Sequence, residues 1–348
     1  MAVLGSNFLN LVDVAKRSDP KNGVILEALH NSNPILQDAI AIECNDGSKH
    51  THSVRTGLPS VAWGRIYQGI PQSKSAIQQV VDTTGFVEGA STIDERLLSM
   101  YPDEEDQNNV RLIEAGGFLE ALNQEMATGL FYHSTKSAPE KFDGLAVRYG
   151  SYGGSTFNMG AESQVINGGG AGANNTSIWF VTWGDNYTFL LYPKGTTAGV
   201  KRQDMGRQRV LDASGNPYYV QEELFRWHIG MGVKDWRYNA RIANIDVAAA
   251  QAGTVDLYKL LTSAYYRLQK RRNTDGTTFM GGKTVMYANK TILEALDNLA
   301  TGVGSSANAK LQIRREQVEG NEVLTWRGIP IRESDSILNT EALVPAAS

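Results

Sequence analysis

From Glu104 to His133 the apolar residues Leu112, Ala115, Leu119, Leu122, Met126 and Leu130 recur at spacings of three and four, with Glu114, Glu120 and Glu125 on other faces. That period predicts one amphipathic helix with Leu112, Leu119, Leu122 and Met126 in its core stripe. Asp103, Glu104, Glu105 and Asp106 crowd its start, where the helix dipole favours negative charge. At 1.5 Å per residue it would be roughly 40 Å long, well beyond the usual helix.

Upstream the period is two. Between Thr51 and Ile93, Val54, Thr56 and Leu58 mark one extended run, Pro59 shifts its register, and Val61, Trp63 and Arg65 continue it. After the turn-rich stretch Gly69 to Lys74, a second run carries Ile77, Val81 and Val87. Two such runs around a Gly/Pro turn predict a long hairpin. Its faces mix apolar and polar residues and the local sequence offers no partner sheet, so standing free it would be marginal in water. Residues 1 to about 45 read as short helical pieces, Phe8 to Lys16, Gly23 to His30 and Pro34 to Ile42, the last capped by Ser32 or Asn33. None is long enough to hold alone, which suits an arm stabilised by something else.

Beyond Pro139 the chain turns loop-like and then strand-like. Trp179 to Trp183 and Tyr187 to Tyr192 are aromatic, β-prone runs around Gly184–Asp185–Asn186, which predicts a hairpin. Further extended runs fill residues 218–247. A helix is expected from Val255 to Lys270, a strand from Thr284 to Tyr287, and a helix from Lys290 to Ala300 capped by Asn289. A hairpin turning at Glu319–Gly320–Asn321 and one more strand follow. The class is mixed α+β.

Composition narrows the options. With 348 residues, 41% apolar and 20% charged, the chain has enough hydrophobic content to fold, as about two domains or one large one. Its 33 Lys and Arg against 37 Asp and Glu give a net charge of −4, so no general basic footprint marks a free nucleic-acid binder. A single cysteine, Cys44, excludes an intrachain disulfide and any Cys-based zinc site, and is expected to be a small buried apolar residue. The start MAVLGSNFLNLVDVAKR lacks the pattern of a secretory signal, and no run of about 18 apolar residues predicts a membrane span.

Motifs with chemistry are weak. TTFMGGKT (277–284) nearly matches a phosphate-binding loop, but Thr277 replaces the first Gly, and Lys283 and Thr284 open a strand rather than a helix. His50 and His52 share one side of a strand, with Asp46 as the nearest third metal ligand in sequence. RLQKRR (267–272) reads as a basic helix end, and KRQDMGRQR (201–209) as a solvated loop or subunit contact. No catalytic constellation, cofactor site or metal site is expected. An arm, an unsupported hairpin and a long helix make physical sense together when other subunits cover them.

RTGLPSVAW (55–63), EALNQEMATGLFY (120–132), PEKFDGLAVRYGS (139–151), DWRYNARIANIDV (235–247) and RGIPIRESDSILNTEA (327–342) occur in one order along the chain. In these blocks it resembles the major capsid proteins of tailed bacteriophages, those of epsilon-type short-tailed phages in particular. The resemblance implies a Hong Kong 97-type capsid fold: an N-terminal arm (1–50), an extended E-loop (51–100), a P-domain (101–254) with spine helix 104–133 and a Gly-rich insertion (159–176), a stretch that is mostly A-domain (255–331), and a return to the P-domain (332–348). It implies a shell of hexamers and pentamers around double-stranded DNA, scaffolding, portal and decoration or cement proteins as partners, assembly in the bacterial cytoplasm, and no membrane. The E-loop residues expected at subunit interfaces are Arg55, Trp63, Arg65, Ile66, Tyr67, Lys74, Ile77 and Val81. In some members of the wider fold a loop Lys is joined covalently to an Asn of a neighbour, and the resemblance makes Lys74 the candidate, with no matching Asn or assisting carboxylate. The competing expectation is a carbohydrate- or receptor-binding module using the aromatic run Trp179 to Tyr192.

Overall fold

A computed structural model describes residues 33–153, 161–269, 282–301, 313–318 and 321–347. The expected helical pieces Phe8 to Lys16 and Gly23 to His30, the core of TTFMGGKT and the turn Glu319–Gly320 lie outside the described residues. In chain order the elements are α1 (Ile35–Asp38), β1 (Ala41–Glu43), β2 (Lys49–Gly57), β3 (Ala76–Asp94), α2 (Glu95–Leu98), α3 (Glu104–Tyr132), α4 (Leu145–Arg148), β4 (Val165–Asn167), β5 (Asn175–Trp183), β6 (Thr188–Tyr192), β7 (Val200–Leu211), β8 (Pro217–Val233), β9 (Ala240–Asp246), α5 (Val247–Gln251), α6 (Leu257–Arg267), β10 (Lys283–Ala288), α7 (Lys290–Thr301), β11 (Ile313–Val318), β12 (Asn321–Trp326) and β13 (Ile329–Glu333). They fall into two units, one holding residues 86–126 and 198–228, the other residues 33–85, 127–197 and 229–347.

The larger unit is organised around β5, which is buried at every position from Asn175 to Trp183. A strand covered on both faces needs no polar alternation, which is why SIWFVTW reads as a continuous apolar run. Its neighbours come from far along the chain: β9 through Ile178↔Ile242 and β10 through Val181↔Val285, both antiparallel. Leu257 and Leu261 of α6 and Ile292 and Leu296 of α7 join Ile178, Phe180 and Ile242 in one core. Asp256 accepts from the Lys259 amide at 3.0 Å and Asn289 from the Thr291 amide at 3.1 Å, so side chains satisfy the free N–H groups at both helix starts.

The hairpin expected across Gly184–Asn186 does not form. β5 and β6 meet only at Trp183↔Thr188, in a parallel sense, and β6 pairs instead with β8 and β1. The turn displaces the chain without reversing it, because each buried strand finds its ladder with distant partners. The helix expected from Pro34 to Ile42 is likewise only α1, after which Ala41 to Glu43 pairs with Leu190 to Tyr192.

In the smaller unit, Val200 to Leu211 is strand β7, antiparallel to β8 from Val200↔Trp227 to Leu211↔Pro217. This corrects the solvated-loop reading of Lys201 to Arg209: β-prone PYYVQEELFRWH supplies the ladder, and charges on the outer strand are ordinary edge protection. α3 covers this unit with Ala115 and Leu122, against Phe225, and Phe118 stacks on Phe225 at 5.7 Å. Arg111 binds Asp204 at 2.6 Å and the buried Glu223, which Arg202 also grips at 2.8 Å.

Two residues of the expected helix core are misplaced. Leu122 and Met126 are buried, but Leu112 and Leu119 are 53% and 44% exposed. At 100° per residue they lie roughly 50–70° around the helix from the Ala115–Leu122 line, outside what a single covering surface reaches. Leu122→Asp is therefore expected to cost about 3–5 kcal/mol of stability, whereas Leu119→Asp keeps the wild-type circular dichroism and melting temperature. Equal losses in the two variants would show that the stripe is buried on both flanks.

Candidate assembly interface

The hairpin begins as ordinary sheet. β2 and β3 pair antiparallel from Lys49↔Thr83 to Gly57↔Ala76, with an irregularity between Arg55 and Gly57. β3 neighbours β8 in the sheet, and at Gly230 of β8 an added Cβ would stand 2.6 Å from the Thr83 carbonyl oxygen, so only glycine permits that approach. The root thus has a partner sheet within its own chain, which corrects the reading of the whole hairpin as unsupported. The pairing was invisible in sequence because β8 lies well over a hundred residues downstream.

Beyond Gly57 regular structure stops. The run Val61, Trp63, Arg65 is not a strand, and the chain reverses at Ile66–Tyr67, where the Gln68 amide donates to the Arg65 carbonyl at 3.2 Å. Tyr67 takes φ 66°, left-handed backbone that a bulky residue adopts at a cost of about 1–3 kcal/mol. Lys74 is exposed and stands on the returning limb rather than at the turn. Ser73 Oγ donates to the Ser60 carbonyl at 2.8 Å, tying the two limbs together.

The tip is apolar and bare. Val61 is 95%, Trp63 99% and Ile66 87% exposed, and Leu58, Tyr67, Ile70, Ile77 and Val81 are also exposed. Arg55, Arg65 and Lys74 are exposed around them. An exposed run of apolar side chains with basic residues beside it in the chain has the chemistry of a contact surface rather than of a solvated loop.

The other sequence candidates go elsewhere. Trp179, Phe180, Trp183 and Phe189 are fully buried, with Trp183 Nε1 donating to Tyr287 Oη at 2.9 Å, so these four rings offer no platform to a sugar. Lys283 opens β10 and pairs with Asp38 at 2.6 Å; Asp38 also accepts from Tyr287 Oη at 3.1 Å and lies 3.4 Å from Arg332, holding α1 to the sheet. Cys44 is buried, and burial, with Glu43 and Asp82 adding to it, pushes its thiol up to about 11, where it stays protonated and unreactive.

One buried network escaped sequence reasoning. Arg241 Nη2 donates to Glu341 Oε2 at 2.8 Å with both side chains 4% exposed. Arg241 Nε donates to Ser177 Oγ at 3.1 Å and Nη1 to the Tyr149 carbonyl at 2.9 Å, and its guanidinium lies 4.6 Å from the Trp179 ring. Tyr132 Oη and Ser177 Oγ donate to the two oxygens of Glu341. Four of the sequence blocks quoted above contribute to this knot through Tyr132, Tyr149, Arg241 and Glu341; only its three-dimensional closure reveals why those residues are there.

With a hairpin rooted in its own sheet and ending in a bare apolar tip, this α+β topology is that of a shell-building protein. The chain matches the family described as Major capsid protein GP7 over residues 18–345, and it belongs to that family. Among solved structures it is similar to a chain from bacteriophage Epsilon15, at 32% identity and TM-score 0.74 over 100% of both chains. It also matches a chain of the bacteriophage JBD30 capsid at 12% identity, TM-score 0.46, covering 83% of this chain and 89% of that one. The capsid of the native GTA particle matches at 10% identity and TM-score 0.42, over 63% and 92%. No curated protein matches the chain. The fold is the Hong Kong 97-type capsid fold; the protein is a phage major capsid protein that associates with itself, and its place is the virion capsid.

Proposed function

We propose that this chain forms the hexamers and pentamers of an icosahedral shell enclosing double-stranded DNA, with no catalytic role. The observation that carries this is the exposed loop 58–75, whose Trp63, Ile66 and Tyr67 have no cover among the described residues. In this reading Arg55, Trp63, Arg65, Ile66, Tyr67, Lys74, Ile77 and Val81 meet a neighbouring copy. Residues 1–50 act as arm, 51–100 as E-loop, 101–254 as P-domain, 255–331 mostly as A-domain, and 332–348 return to the P-domain. Shells form in the bacterial cytoplasm with scaffolding, portal and decoration proteins. Size-exclusion chromatography with negative-stain microscopy tests it: closed particles are expected, and a chain that stays monomeric at every concentration and salt would overturn it.

Contact with the packaged duplex is expected to be nonspecific. The net charge of −4 leaves only local Lys and Arg to meet phosphate. Binding of the subunit to duplex should weaken steeply with salt and show no preference between sequences in competition. A sequence preference of tenfold or more at physiological salt would contradict it.

A further inference from the structure

At the root of the hairpin two histidines stand on one face of β2, away from the exposed tip. The His52 side chain is 5% exposed, and neither of its ring nitrogens has a hydrogen-bond partner. Its Nδ1 lies 3.7 Å from Oδ2 of Asp82, an oxygen that also lacks a hydrogen bond. The other Asp82 oxygen accepts from Arg148 Nη2 at 2.6 Å, and the same nitrogen donates to the Met231 carbonyl at 3.1 Å. His50 pairs directly across the ladder with Asp82, its ring 6.2 Å from that of His52 and edge-on to Phe189. The charged and titratable groups acting on His52 are therefore Asp82 from β3, Arg148 from α4, Lys234 just past β8, and His50 on its own strand.

With both imidazoles neutral, the Asp82 carboxylate is balanced by the Arg148 guanidinium. A proton on His52 adds a second positive charge where water is excluded, and one carboxylate must then serve two cations, Arg148 on Oδ1 and His52 facing Oδ2 at 3.7 Å. We propose that His52 is an acid-sensitive latch: neutral, it packs β2 against β3 at the root; protonated, it competes with Arg148 for the Asp82 carboxylate, leaves the buried cluster with a net positive charge and loosens that root. Burial holds the His52 imidazole below its ordinary value; Asp82 opposes this, while His50, Arg148 and Lys234 add to it. Because the unfolded histidine takes up its proton at higher pH than the folded one, the root is fully stable above about pH 6.5 and loses stability as pH falls below that value. The latch lies within one subunit and does not depend on the contacts proposed for the tip.

The test is amide hydrogen exchange of the full-length subunit from pH 7.5 to 5, corrected for intrinsic rates. Protection in Lys49–Gly57 and residues 76–83 is expected to fall about tenfold per pH unit below the ordinary histidine range, one proton's worth, while β5 and β10 keep theirs. Burial also holds the His50 imidazole below its ordinary value, so the fall is read in His50→Gln, which should retain a one-proton fall, and in His50→Gln with His52→Gln, which should abolish it. Exchange of the imidazole C2 proton in the wild type, read for His52 by mass spectrometry, keeps the test open if His52→Gln misfolds: its midpoint should lie below 6.5. Root protection that ignores pH, a fall that persists when His52→Gln is added to His50→Gln, or a His52 midpoint at or above 6.5 would each overturn the latch.

Discussion

Deleting residues 67–75 is expected to yield a folded subunit that no longer closes into particles. The deletion removes the turn and the returning limb but leaves the ladder from Lys49↔Thr83 to Gly57↔Ala76 intact. The described structure gives the tip side chains no cover, so the subunit's own melting temperature should move little. Assembly is another matter. The deletion takes away Tyr67 and Ile70 and the limb that Ser73 ties to Ser60, so Val61, Trp63 and Ile66 lose the backbone that presents them. Burying such side chains against a neighbour is worth roughly 1.5–3 kcal/mol each before ordering is subtracted, and a closed shell repeats that contact at every copy. Amides in residues 58–75 should exchange rapidly in the free subunit and slowly in particles, while those of β2 and the root of β3 are protected in both. Normal shells from the shortened chain would remove the tip from the interface. So would tip amides already protected in the free subunit.

The second large effect is expected at Arg241. Truncating it to Ala leaves the Glu341 carboxylate buried with only two hydroxyl donors, Tyr132 and Ser177, and empties the space beside Trp179. Breaking a buried pair on one side costs about 3–5 kcal/mol, against a total stability of about 5–15. Arg241→Ala should therefore melt far below wild type or accumulate as aggregate. Glu341→Gln, which keeps the shape and one acceptor, should lose less. Replacing both partners by apolar residues, Arg241→Met with Glu341→Leu, should recover much of the loss, because desolvation of the two charges disappears along with their attraction. By contrast, Arg237→Ala removes an ion pair with Asp235 that is partly solvated and leaves the Asp235 cap in place, and should cost under about 1 kcal/mol. Urea titrations of the four variants give the comparison, and an Arg241→Ala curve overlaying wild type would show that the network carries no stability.

The network also shows why the candidate site was only half legible in sequence. Tyr132, Ser177, Arg241 and Glu341 come from positions up to 209 residues apart, and nothing in the local pattern around any of them marks a buried charge. The hairpin tip was legible because its signal is local: Trp63, Ile66 and Tyr67 carry more apolar surface than a solvated ribbon should, whatever the rest of the chain does. The root was not, since β8 approaches it across Gly230. His50 and His52 were visible as a pair on one strand face, but the third group of their cluster is Asp82 on the facing strand, rather than Asp46.

Elements whose stability is written into neighbouring residues were determined by the sequence alone. The long helix runs from Glu104 to Tyr132, one residue short of the expected end, because its period and acidic start are properties of the segment itself. α7 starts at Lys290 beneath the Asn289 cap for the same reason. The five sequence blocks, met in order, carried the family. What the tertiary structure decided is which faces are covered and which strands are neighbours. Leu119 and Leu122 are equivalent in a pattern of threes and fours, yet one is exposed and the other buried, since only Phe225 and the strands around it define where the cover lies. β5 and β6 look like a hairpin and are not, and the charged run in β7 looks like a loop and is a strand. Strand pairing and burial are sums over contacts between residues distant in sequence, and a local pattern states only that an element needs a partner.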